Sequence, residues 1–139
     1  MKVTELSTFM RRYFPTFLAG HFSALFGMAI VTALWGSMYR RSVPSVDQYD
    51  VILGAVWALV WCLGHFVVVR GYSWGMWVNW TAVGLGLLLG LSMLGSGRFL
   101  VLLGVGLVLQ LVSLLIFNSR RHREMRARLI EIGIERRRS

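Results

Sequence analysis

His21 and His65 are the residues whose type and position most invite chemistry. His21 lies about five residues into the first long apolar run, and His65 lies five residues before the end of the second. If those runs are antiparallel membrane helices, equal offsets put both imidazoles at one depth, about 8 Å from the same boundary. Neutral imidazoles facing each other are what bis-histidine ligation of haem b requires, so haem b or another pigment is the cofactor these residues could serve. The plainer reading is a pair of imidazoles near a membrane interface, each hydrogen-bonded to a neighbour. Two histidines are too few for a tight zinc site, and no metal is expected.

Trp57, Trp61 and His65 recur every four residues and share one stripe of a helix. With Trp74, Trp77 and Trp80 they make a tryptophan-rich region whose flat faces could hold a pigment, a quinone or a lipid. Aromatic side chains also anchor helices at membrane boundaries and fill bundle cores, which needs no ligand.

The absences are as informative. None of the four long apolar runs contains Asp, Glu, Lys or Arg. Ion-coupled transport usually depends on an ionisable group inside the membrane, because the cost of placing one there marks the pathway. No paired carboxylate, metal-ligand cluster or nucleophile elbow is present either, so no catalytic residue is assigned and no enzymatic activity is expected. Cys62 is the single cysteine, which excludes an internal disulfide, and its apolar setting suggests a buried structural residue.

These residues need elements to position them, and composition says which kind. The chain has 139 residues, enough for one domain. It is 56% hydrophobic and 15% charged, against about 25% charged in a typical soluble domain. Charge is also segregated, with none between Arg70 and Arg98 or between Arg98 and Arg120. Such runs are long enough to cross a hydrocarbon core of about 30 Å as helices. The expected fold is an all-α integral membrane protein of four transmembrane helices, arranged as two hairpins. The spans are expected at about 16–38, 51–69, 76–94 and 99–117, within a membrane domain of 16–118.

Residues 1–15 read as a short interfacial segment, with Leu6, Phe9, Met10 and Tyr13 at helical spacing and Pro15 opening the first span. That span is too long for a signal-peptide core, so it is expected to be retained. Residues 40–50 form the one sizeable loop. Gly71 to Gly75 make an aromatic corner, and Gly95 to Gly97 a tight turn.

Residues 119–139 form a basic tail with eight arginines. Met125, Leu129 and Ile132 fall at i, i+4 and i+7, so an amphipathic helix continuing the fourth span is expected. Arg120, Arg121, Arg123, Arg126 and Arg128 are its candidate contacts to anionic lipid headgroups or to a partner subunit. Nucleic acid is not expected as a partner, since the tail has no aromatic residue for base stacking. Positive charge holds its side of a span in the cytoplasm, so the expected location is a bacterial inner membrane with both termini cytoplasmic. Within the bundle, Gly86, Gly90 and Gly104 are candidate close-packing positions. Asn79, Gln110 and Ser113 are expected to face protein rather than lipid.

Three functions are compatible with this reading. The leading one is a non-enzymatic accessory or scaffold subunit of a larger inner-membrane complex, respiratory or photosynthetic, packing laterally and docking through its tail. The others are a bis-histidine haem b module and a membrane immunity or exclusion protein or small channel.

Overall fold

The computed structural model describes residues 3–39 and 46–138, with side chains at 8–38, 49 and 51–135. It is all-helical, with no strand among the described residues. The helices are α1 (Val3–Tyr39), α2 (Val46–Val69), α3 (Gly75–Ser92), α4 (Leu100–Asn118) and α5 (Arg120–Arg138), with a 3₁₀ turn at Leu94–Ser96. Four of them are long and apolar enough to cross a membrane, over Thr8–Met38, Val51–Val69, Gly75–Ser96 and Leu100–Asn118.

Helix α1 packs most extensively on α4, and α2 on α3. Contacts of α1 with α2 and of α3 with α4 close the ring, while α1 also touches α3 across it. The core has two layers. Ala24, Met28, Trp61, Val68, Met76, Val83 and Phe117 form one, and Val31, Leu34, Met93 and Leu103 form the other.

Polar residues in a membrane bundle must face protein, and Asn79, Gln110 and Ser113 are all fully buried. Gln110 lies in a hollow that only glycines leave open. A Cβ on Gly27 would stand 2.8 Å from Gln110 Cγ and from the Gly106 carbonyl oxygen, and one on Gly86 would stand 2.8 Å from Gln110 Oε1. Three helices therefore approach closely around one amide, as small residues allow.

Several expectations change. Pro15 does not open a helix, because α1 runs unbroken through it for 37 residues, about 55 Å. Residues 3–15 are thus the N-terminal turns of α1, continuous with the rest of the helix. Helix α2 begins at Val46, so Asp47 and Asp50 belong to its first turns and not to a loop, while residues 40–45 lie outside the described residues. Cys62 is exposed on the outer side of α2, not buried. The tail does not continue α4. Ser119 is extended (φ −62°, ψ 151°), and this single non-helical residue turns α5 back against α1, α2 and the end of α4.

Candidate functional site

The α5 turn-back completes a cluster that gathers all three histidines of the chain. His21 comes from α1, Trp61 and His65 from α2, Phe117 from the end of α4 and His122 from the first turn of α5. The His21 and His65 rings meet edge to face, with centroids 4.6 Å apart. Trp61 stands against both, 4.5 Å from His65 and 6.0 Å from His21. Phe17 and Phe117 close on His65 at 5.3 and 5.6 Å, and Phe117 reaches His122 at 5.1 Å. Trp61, Phe117 and His122 are essentially inaccessible.

Hydrogen bonds assign the tautomers. The Trp61 indole N–H donates to His21 Nδ1 at 3.1 Å, so His21 carries its proton on Nε2. His65 Nδ1 lies 3.0 Å from the Trp61 carbonyl, which only accepts, so His65 carries its proton on Nδ1. That leaves His65 Nε2 as a buried acceptor with no partner among the described residues, while the His122 ring nitrogens are buried beside the Phe117 backbone carbonyl. Outside the spans, burial and then the neighbouring Arg126 push the His122 imidazole down to about 4.

The sequence placed His21 and His65 at one depth, and the structure brings them together with Trp61. As arranged, however, the pair does not suit bis-histidine haem ligation. The rings touch directly, leaving no gap for a planar macrocycle. A neutral imidazole that ligates through Nε2 must also be protonated on Nδ1, and on His21 that nitrogen accepts from Trp61. Trp57 does not join the cluster, since its indole N–H points to Met28 Sδ at 3.1 Å. Among the described residues, no group of three or more His, Cys, Asp or Glu side chains could hold a metal ion.

His122 was missed because the tail reads as a charged surface segment. A signal existed: it precedes Met125 by three residues and so falls on the same face as the apolar stripe Met125, Leu129, Ile132.

The remaining candidates divide. Gly90 abuts Leu107, where a Cβ would come within 2.6 Å, and Gly86 abuts Gln110. A Cβ on Gly104 would meet nothing within 4 Å among the described residues, so no close approach there requires a glycine, whereas Gly106, against Ile30 and Val31, does stand at one. Of the tail arginines, Arg120, Arg121, Arg123 and Arg128 are exposed. Arg120 pairs with Glu124 at 3.2 Å and Arg128 with Glu131 at 3.4 Å. Arg126 instead turns inward, toward Val68, Tyr72 and Met76 at the α2–α3 corner, and its Nε is buried. No family model, no curated protein and no solved structure matches this chain.

Proposed function

We propose that this chain is a non-enzymatic accessory subunit of a larger complex in the bacterial inner membrane, with both termini cytoplasmic. The observation that carries the reading is a groove of about 320 Å³ between α1 and α2, lined by Leu25, Ala29, Thr32, Gly54, Trp57 and Ala58. Small side chains facing outward let a foreign helix backbone approach closely, and such approach drives helix association where no hydrophobic gain separates protein from lipid. A Cβ on Gly54 would meet nothing within 4 Å among the described residues, so its lack of a side chain serves no close approach among them. Gly104 on α4 is open in the same way. Arg120, Arg121, Arg123 and Arg128, exposed among the described residues, favour a cytoplasmic face bearing on anionic headgroups or on an acidic partner surface. Electron-transfer and light-harvesting assemblies are the kind of complex in which such small subunits would fit.

The test is a tagged pull-down of the full chain from its native membrane in mild detergent, beside Gly54→Leu and Ala58→Leu variants that fill the groove. The expected result is a stoichiometric membrane protein that accompanies the wild type and is lost from the variants. A chain that purifies alone, or variants that keep the partner in full, would refute the reading. A toxin or phage component as the partner would favour an immunity protein over a subunit of an energy-converting complex.

A further inference from the structure

A second concavity lies at the other end of α1 and is built differently. It has a volume of about 390 Å³, within the range of sites that hold whole small ligands. Its walls are apolar, with Phe9, Phe14 and Phe17 from α1, Phe66 from α2, and Leu129 and Ile132 from α5. Helix α5 is its roof, secured at both ends. At one end the Glu124 carboxylate meets Arg12 and the Tyr13 hydroxyl, each at 3.5 Å. At the other, Gly133 lies against Gly71, where a Cβ on Gly133 would stand 3.1 Å from the Arg70 carbonyl oxygen.

One cation sits on the cavity's lining. Arg70 directly follows Val69, the last residue of the second span, so its guanidinium stands at the membrane boundary. It lies 5.1 Å from the Phe66 ring and makes no ion pair with any described carboxylate. An apolar chamber that straddles the end of a span, with an unneutralised guanidinium at its edge, has the polarity profile of one molecule: an anionic amphiphile. The protein's net charge of +9 adds a field that attracts such a molecule. Basic pockets between membrane helices on the cytoplasmic side bind anionic lipid headgroups in this manner.

We infer that the chamber beneath α5 is a specific site for an anionic phospholipid, one acyl chain lying among Phe14, Phe17, Phe66 and Leu129 and the phosphate meeting Arg70. The site is separate from the α1–α2 groove and does not depend on a protein partner. A zwitterionic lipid with the same chains would fill the chamber but gain less from Arg70. Helix α5 is then held by lipid as well as by its own contacts, so an occupied site couples membrane composition to the position of the basic tail.

The experiment is native mass spectrometry of the full chain, delipidated in detergent and titrated with phosphatidylglycerol or phosphatidylcholine of identical chains. The expected result is one saturable phosphatidylglycerol site that phosphatidylcholine fills at least about fivefold more weakly. Arg70→Ala should remove that preference, and Leu129→Trp, which narrows the chamber, should weaken both lipids. Arg121→Ala, on the exposed side of α5, should change neither, and circular dichroism checks that each variant is folded. Equal binding of the two lipids, an unchanged preference in Arg70→Ala, or an equal effect of Arg121→Ala overturns the proposal. So does saturation by a neutral quinone that displaces phosphatidylglycerol.

Discussion

The Trp61 indole N–H donates to His21 Nδ1 at 3.1 Å, joining α2 to α1 through a side-chain hydrogen bond in the middle of an aromatic cluster. Trp61 is fully buried, so its ring also fills core space beside Phe117. The bond fixes which nitrogen of His21 bears a proton, and the side-chain bond from His65 Nδ1 to the Trp61 carbonyl fixes the other imidazole. The two bonds thereby fix the orientation of both rings within the cluster.

The first prediction follows from that bond. Hydrogen bonds between membrane helices average about 0.6 kcal/mol and reach about 1.7 kcal/mol. Trp61→Phe, His21→Phe and the double variant form a thermodynamic cycle, read by reversible unfolding in mixed micelles. A coupling energy of about 0.6–1.7 kcal/mol is expected. Trp61→Phe alone should cost more than that coupling, because it also opens a cavity. A coupling of zero would mean that the two side chains are merely neighbours.

The glycine hollow around Gln110 gives a prediction with an internal control. The three atoms nearest a Cβ on Gly86 all belong to the Gln110 side chain, whereas one on Gly27 would also meet the Gly106 carbonyl oxygen at 2.8 Å. Gly86→Ala should therefore destabilise the bundle by about 1–3 kcal/mol, the usual cost of overpacking. Gln110→Ala should relieve Gly86→Ala but leave Gly27→Ala largely uncorrected, since backbone cannot move aside. Gly104→Ala, which meets nothing, should be neutral. Thermal unfolding of the four single variants and the two combinations with Gln110→Ala decides the matter, and equal rescue of both glycine variants would contradict the packing described.

The α5 docking is the next target. Gly71 has φ +83°, and a Cβ there would lie 2.6 Å from the Leu129 carbonyl oxygen. Gly71→Ala thus combines backbone strain of roughly 1–2 kcal/mol with a clash against α5 itself. We expect faster amide hydrogen exchange over 120–135 and quicker tryptic cleavage at Arg126, with the four spans unaffected. Arg12→Ala should have a much weaker effect, because its ion pair with Glu124 is solvent-exposed and such pairs contribute about 0–1 kcal/mol. Unchanged exchange in Gly71→Ala would show that the docking does not rest on this contact.

The spans were legible because a bilayer imposes a rule on sequence: about 20 residues without charge must be helix. The depth match of His21 and His65 followed from the same rule, since antiparallel helices of known ends align by counting. The packing rotation did not follow. Trp57 shares a stripe with Trp61 yet bonds to Met28, because α1 passes the two tryptophans at different heights. Gly104 and Gly106 are two residues apart, so they face different sides of α4, and nothing local says which side meets Ile30 and Val31. The turn-back of α5 was hidden because Ser119 is an ordinary residue and the helical pattern is strong on both sides of it. The pairing of Gly71 with Gly133 was equally out of reach, as it joins positions that only the folded bundle brings together.

The last prediction concerns acid. His122 is 2% exposed, and burial, followed by the nearby Arg126, lowers its pKa to about 4. His65 on α2 is close enough to interact with it electrostatically, and no described carboxylate pairs with it. When α5 undocks, His122 enters water, where an imidazole titrates near 6.5. Above about pH 6.5 the ring is neutral in both states, and docking has its full strength. Between about 6.5 and 4 the undocked form binds the extra proton, so docking weakens as pH falls, by up to a few kcal/mol. Tail cleavage by a protease active across this range, in the detergent-solubilised chain, should therefore accelerate from pH 7.5 to pH 5. His122→Phe keeps an aromatic ring against Phe117 and should flatten that dependence while leaving cleavage at pH 7.5 slow. If the acceleration persists undiminished in His122→Phe, another group carries it, and the buried imidazole is not what ties α5 to pH.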